Sequence, residues 1–453
     1  MQSWWFEAAL LADGWAERVR MTVQDGRIVT LAPDSAREAE DERHGIALPG
    51  IANLHSHAFQ RGMAGMAERR GPGADSFWTW RDTMYRFANA IGPDEIEAIA
   101  ALAFIEMLEA GFVRVGEFHY VHHDRDGTPF SNPAEMGGRL AAAAAETGIG
   151  LTLLPVLYMT SGFGGVPPRP EQRRFIHDAD GYARLIEASR AAVAGLADAR
   201  VGVAPHSLRA VTPEGLYAAL AVGGRGPVHI HIAEQTGEVD DCLRHSGAAP
   251  VEWLLANAPV NARWCLVHAT HATSAELDGI ARSGAVVGLC PITEANLGDG
   301  VFPAAELSAA GGRFGVGSDS NVLIDLAQEL RSLEYSQRLT HRARNLLSSD
   351  DSPSTGRTLF DAAGRGGAQA LGGADHGLAP GARADFVTLD RSHPTLADRA
   401  GDALLDAFVF ANGGGMIDGV WCGGRQKVRG GRHVARAGVV RRYAATLARL
   451  AIL

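Results

Sequence analysis

Two histidines two residues apart, His55 and His57, end the apolar run LPGIANLHSHAF. Alternate side chains of a β-strand share a face, so both imidazoles can grip one metal ion. Alone, the pair reads more simply as two hydrogen-bonded histidines of a half-buried strand. The same residue types recur, however, behind other apolar runs. PVHIHIAEQTGE carries His229 and His231 in alternation and then Glu234, CLVHATHAT carries His268, and GVGSDSN carries Asp319. Together His55, His57, His231 and Asp319 offer nitrogen and oxygen ligands suited to one Zn2+ per chain, with Fe2+ also admitted, and leave a position for water. Such an ion lowers the pKa of its water from 15.7 towards about 7, which yields a nucleophile at neutral pH.

Glu234 follows His231 by three residues and is placed to shuttle protons, its bland alternative being a first-turn acid of the next helix. His268 suits orientation of the water better than service as a fifth ligand. His229 is expected to face away from the site or to support it. His271, His122 and His123 lie further along loops and read as solvated. Lys427 is the only lysine, so a Schiff-base lysine, a phosphate-loop lysine and a carbamylated lysine bridging two metals all lose their usual residue. The zinc deaminases with a Pro-Cys-x-x-Cys signature are excluded, because Cys290 precedes Pro291 and no second cysteine follows.

Eight short apolar runs, near 51–57, 113–118, 150–157, 201–205, 228–233, 264–268, 285–289 and 314–317, alternate with amphipathic stretches such as GPDEIEAIAALAFIEMLEAG. Strand and helix in alternation predict a (β/α)8 barrel of TIM type, whose chemistry sits at the carboxyl ends of the strands. The metal-type residues fall at those ends. Residues 1–48 and roughly 378–435 read differently, as short β segments with turn signals such as Asp25-Gly26, and the remainder to 453 as a tail of the same domain. They predict a small β-sandwich domain built from both termini, with a C-terminal tail, around a barrel spanning 49–377.

A formal net charge of -10 opposes a nucleic-acid partner. No apolar run is long enough to cross a bilayer, and Glu7 and Asp13 interrupt the opening segment where a secretory signal needs an unbroken apolar core. The four cysteines lack disulfide or Cys-x-x-Cys spacing. A soluble cytoplasmic enzyme is expected, with a homodimer as the default assembly.

With those residues in place, LHSHAFQRGMAGMAE, GEFHYVHH, APHSLRAV, HIAEQTGEVDDC, CPITEANLGDG and GSDSNVLIDLAQELRSLEYSQRL resemble the mononuclear deaminase branch of the amidohydrolase superfamily, and within it the formimidoylglutamate deiminase family. The resemblance spans nearly the whole chain. It implies hydrolysis of N-formimino-L-glutamate to N-formyl-L-glutamate and ammonia in histidine degradation. It also implies proton-transfer roles for Glu234, His268 and Asp319, and substrate contacts by Gln60, Arg81, Tyr120, His206 and Arg209.

Formiminoglutamate carries two carboxylates, and arginine holds carboxylate through paired planar hydrogen bonds. The net acidity of the chain opposes a dianion, so local arginines must outweigh the global field. Two loops, near 161–170 and 70–76, are placed to close over a substrate. A related deaminase acting on a purine, pyrimidine or triazine ring would need a flat apolar slot instead of an arginine clamp. A non-catalytic scaffold on the same barrel would have lost ligands, and none is missing.

Overall fold

The computed structural model describes residues 1–71, 73, 75–373 and 376–450, without the side chains of 412–414. Two positions of the expected loop at 70–76, and the last three residues of the C-terminal tail, lie outside the described residues. Parallel strands Ile51–Ser56, Phe112–His119 and Gly150–Leu157 are followed by a fourth that is broken into Arg200–Val201 and Ala204–Pro205. A second parallel set comprises Val228–Ile232, Trp264–His268, Val286–Leu289 and Arg313–Val316. The two sets meet at both edges through isolated parallel bridges, Val203 with Val228 and Ser56 with Asp319. Helices alternate with the strands, the arrangement of a TIM-type barrel.

Helix Pro93–Glu109 shows how local sequence sets these elements. Pro93 opens it, Asp94 and Glu95 lie in its first turn, and Gly111 leaves it at a φ of 94° that a side chain would oppose. Most of its residues are buried, because it lies between the barrel and the C-terminal helix Arg436–Leu450. Arg436 pairs with Glu109 across that contact.

Strands from the two ends form one eight-stranded mixed sheet. Its N-terminal part, Gln2–Leu11, Gly14–Gln24, Arg27–Ala32 and Glu42–Pro49, joins the C-terminal part where Glu42–Pro49 pairs antiparallel with Phe386–Leu389. The Asp25-Gly26 turn has φ of 51° and 76°, the paired positive angles of a tight hairpin. One face of this sheet packs Trp4, Phe6, Met21, Phe386 and Trp421, with the last two rings stacked at 4.6 Å.

Candidate metal and catalytic site

The site lies at the carboxyl ends of the barrel strands. His55 is in the first strand and His57 just after it, His231 is in the fifth and His268 ends the sixth, while Asp319 follows the eighth. His57 Nε2 stands 3.2 Å from Asp319 Oδ1, His55 Nε2 3.5 Å from the same oxygen, and His55 Nε2 3.0 Å from His231 Nε2. His57 Nδ1 is 2.8 Å from the carbonyl of Phe118. A carbonyl only accepts, so that nitrogen carries the proton and Nε2 presents a lone pair to the carboxylate.

His57 Nε2 and Asp319 Oδ1 therefore meet acceptor to acceptor. Burial holds the His57 imidazole down to about 3, with His55 adding to the effect, and burial holds His55 and His231 well below the ordinary histidine range. Three neutral imidazoles and a carboxylate converge here, and the donor set fits a divalent metal. His268 Nε2 lies 3.8 Å from Asp319 Oδ2 and 3.9 Å from Glu234 Oε1. Burial alone would discharge His268, yet Glu234, Glu294 and Asp319 outweigh it and hold the imidazolium up to about 10. Burial pushes the Glu234 carboxyl up to about 7, His268 opposing and Asp319 reinforcing the shift.

Backbone strain concentrates here. His268 and Asp319 have φ of 68° and 45°, left-handed values that cost a residue with a Cβ about 1 kcal/mol or more. Asn321 holds the second of these turns, its Nδ2 donating to the carbonyls of His57 and Asp319 and to Ser56 Oγ at 3.0, 3.1 and 3.1 Å. Asn53 reaches the same turn through Ser318. His268 is steadied by Glu294, whose Oε1 accepts from its Nδ1 at 3.2 Å and from the backbone N–H of Cys290 at 2.9 Å.

The substrate contacts implied by resemblance line the same cavity. Gln60, in the turn Ala58–Met63, donates from Nε2 to Tyr120 Oη at 2.8 Å. Arg81, on helix Phe77–Ala90, lies 4.4 Å over the Trp78 ring. His206 and Arg209 follow the broken fourth strand, and His206 Nδ1 is 3.0 Å from Ser207 Oγ. All five face the cavity with His57, His231, Glu234, His268 and Asp319. It is narrow, about 50 Å³, whereas clefts of about 430 and 940 Å³ lie elsewhere without a comparable convergence of ligand and acid–base groups. Chemistry, and not size, marks the site.

Some expectations need correction. His122 and His123 are buried, not solvated, because their loop tucks beneath the segment ending at Ile176. Both backbone amides donate to the Arg174 carbonyl, and their Nε2 atoms bond the carbonyls of Val156 and Ile176. His271 is half-buried and bonds the Asp299 carbonyl at 2.9 Å. Phe163, Gly164 and Gly165 of the 161–170 loop line the separate cleft of about 430 Å³, while Phe175, further on, reaches the cavity. His229, by contrast, faces away from the ligand cluster as expected and bonds the Ala370 carbonyl at 2.8 Å. Sequence reasoning passed over Asn321 and Glu294, although both stand inside the quoted motifs GSDSN and CPITEANLGDG. It also passed over Tyr85, which ends the segment FWTWRDTMY that carries Arg81, and Tyr158, whose position carried no motif.

Comparison with known proteins agrees with this arrangement. Residues 46–427 match the model of the amidohydrolase family, and residues 4–45 match the N-terminal domain of formimidoylglutamate deiminase HutF. The chain is 52% identical over 446 residues to a formimidoylglutamate deiminase of Pseudomonas aeruginosa, covering 98% of each. It is 29% identical to an 8-oxoguanine deaminase of the same organism, covering 84% of this chain and 83% of that one. Among solved structures, an amidohydrolase from Brucella melitensis superposes with a TM-score of 0.97 at 53% identity, covering 99% of this chain and 100% of that one. A zinc-bound adenosine deaminase from Xanthomonas campestris, at 22% identity and a TM-score of 0.81 over 100% and 99% of the two chains, shares the fold. The chain is an enzyme of the amidohydrolase family of metal-dependent hydrolases, and within that family it belongs to the formimidoylglutamate deiminases.

Proposed function

We propose that the protein hydrolyses the formimino C–N bond of N-formimino-L-glutamate, giving N-formyl-L-glutamate and ammonia, as a step of histidine degradation. The observation that carries this reading is the polarity of the cavity. Glu234 and Asp319 stand at one end, suited to a cationic amidine, and Arg81 and Arg209 stand in the same cavity with no ion pair to a described residue. Burial lowers Arg81 from its ordinary value, and the neighbouring positive charge of Arg209 adds to the effect. Burial opposes the Arg209 charge too, but Tyr158 and Glu238 outweigh it and hold Arg209 above its ordinary value, so a carboxylate beside the pair would chiefly relieve Arg81.

His55, His57, His231 and Asp319 would hold zinc, with ferrous iron compatible with the same donors. The ion supplies Lewis-acid chemistry that acidifies water at the site. Glu234, poised near neutrality, takes a proton from the attacking water as its oxygen bonds to the formimino carbon. His268 steadies that oxygen through Nε2. The carbon becomes tetrahedral, Glu234 returns the proton to the amino nitrogen, and the remaining hydroxyl proton passes to Asp319 as the C–N bond breaks, so that the formyl C=O forms and ammonia leaves. Arg81, Arg209, His206, Tyr120 and Gln60 fix the glutamate end, so that distant binding orients the reacting carbon.

The four cysteines are free and buried and no described helix is long and apolar enough to cross a membrane, which supports a cytoplasmic setting. A homodimer is the default assembly for such an enzyme.

The test is ammonia release by purified protein given formiminoglutamate, guanine, cytosine or adenosine, each with a chelated control. Chelator-sensitive release from formiminoglutamate alone is expected. Release from a ring substrate instead would keep the metal site and discard the arginine clamp.

A further inference from the structure

Gln172 is buried, 1% exposed, and its neighbours fix which way its amide faces. Its Oε1 accepts the backbone N–H of Arg169 at 2.8 Å, so the other side of the amide must be nitrogen. That nitrogen donates to the Tyr158 hydroxyl at 2.8 Å and to the Tyr85 hydroxyl at 3.1 Å. Both phenol oxygens are thereby made acceptors towards Gln172, and each keeps its single proton. No described residue receives either proton in a hydrogen bond. Tyr120 differs, since its oxygen accepts from Gln60 and its proton has Met84 Sδ at 3.5 Å.

Tyr85 and Tyr158 are almost wholly buried and line the cavity beside Arg81 and Arg209. The Arg81 guanidinium lies 5.5 Å over the Tyr85 ring. The segment bearing Gln172 is tied to the helix bearing Tyr85 and Arg81 at two further points. Asn89 donates to the Glu171 carbonyl at 2.8 Å, and Arg174 to the Ile91 carbonyl at 2.7 Å. Two cations and two unused hydroxyl protons thus border one end of the cavity, a surface made of donors.

We propose that Gln172 is a specificity-determining residue that acts through Tyr85 and Tyr158. By occupying the acceptor side of both hydroxyls it commits their protons to a carboxylate in the cavity, and so makes a dicarboxylate the preferred occupant over a monocarboxylate. This inference rests on the formiminoglutamate reading and adds residues to its carboxylate pocket.

Gln172→Glu keeps the shape and reverses the hydrogen bonding, since a carboxylate would draw both phenolic protons back. Gln172→Met removes the amide without adding charge. Binding of glutarate and of butyrate is measured by calorimetry, and KM and kcat for formiminoglutamate alongside, with metal content and melting temperature as controls. With two charge-assisted hydrogen bonds withdrawn at roughly tenfold each, Gln172→Glu is expected to weaken glutarate binding and raise KM by about 100-fold. Butyrate binding and kcat should change by less than about threefold, and Gln172→Met should fall between the two proteins. The Tyr85→Phe/Tyr158→Phe double variant should reproduce the loss. Equal weakening of both ligands, or unchanged glutarate binding in Gln172→Glu, would overturn the role of Gln172. Absence of ammonia release by the unsubstituted protein strikes the substrate reading instead, because glutarate binding is read without turnover.

Discussion

The two ends of the cavity are built from different parts of the chain. At the metal end every proposed ligand stands in or directly after a barrel strand: His55 and His57 at the first, His231 in the fifth, Asp319 after the eighth. At the anion end Tyr120, Tyr158, His206 and Arg209 likewise follow strands, but Arg81 comes from helix Phe77–Ala90, Tyr85 from one turn further along it, and Gln172 from the loop after the third strand. The strands are cross-linked by backbone hydrogen bonds and support a fixed geometry. The helix and loop are joined to each other by side-chain ties from Asn89, Arg174 and Gln172, which makes this part of the anion end the adjustable one. Such a division lets one scaffold keep its acid–base chemistry while its substrate varies.

Removing the metal should produce the largest effect and should leave the anion end untouched. Chelation is expected to abolish ammonia release, and readdition of Zn2+ or Fe2+ to restore it, while glutarate still binds the apoprotein. Loss of glutarate binding on chelation would show the two ends to be one coupled unit. Metal analysis of the protein as purified distinguishes zinc from iron.

Replacing Glu234 by Gln should come next. Turnover is expected to fall by about 10³-fold with metal content unchanged, within the usual range for a lost general acid–base group. In the unsubstituted enzyme the base must be ionised, so kcat/KM should fall as pH drops below about 7, the value to which burial raises Glu234. Near-normal turnover in Glu234→Gln would remove the proton shuttle from the scheme.

Arg209→Met probes the opposite end and should act mainly on KM. Loss of a charge-assisted carboxylate contact corresponds to roughly 10- to 100-fold in kcat/KM. A variant with full activity on formiminoglutamate would defeat the dicarboxylate pocket.

The difference between the ends also explains what could be read from the sequence. Alternation in LHSH and HIHIAE is visible because a strand turns a spacing of two into a shared face. The barrel was legible for the same reason, its short apolar runs alternating with helices such as Pro93–Glu109. Gln172 and Tyr85 had no such rule. They meet because two segments 87 residues apart fold together, and a loop has no periodicity to announce a partner. His122 and His123 show the converse error, since position in a loop suggested exposure while the covering segment 172–177 buries them. Glu294 and Asn321 lay inside motifs already noticed, but they bond His268 and the turn at Asp319 and do not enter the cavity themselves, which composition alone does not signal.

The buried histidines near the anion end give the smallest and most selective effect. His119, His122, His123 and His177 pack ring to ring, with centroids 5.1 Å apart for His119–His122, 5.0 Å for His122–His177 and 4.5 Å for His123–His177. Burial lowers His119 to about 3 and His177 to about 4, with His122 well below its ordinary value and His123 below it too. In the unfolded chain these groups titrate near 6.5. Between that value and about 4 the unfolded state binds more protons, so stability present above pH 6.5 is lost as pH falls. The melting temperature should therefore drop between pH 6.5 and 4.5, and His177→Gln should flatten that drop. The same acid shift acts on His55, His57 and His231 while they are metal-free, so the comparison is made at saturating metal. Because His122 and His123 hang from the Arg174 carbonyl, and Arg174 ties to the helix of Arg81, acid should loosen the anion end first. Glutarate affinity should then fall at a higher pH than metal is released, whereas simultaneous loss would place both ends under one cooperative transition.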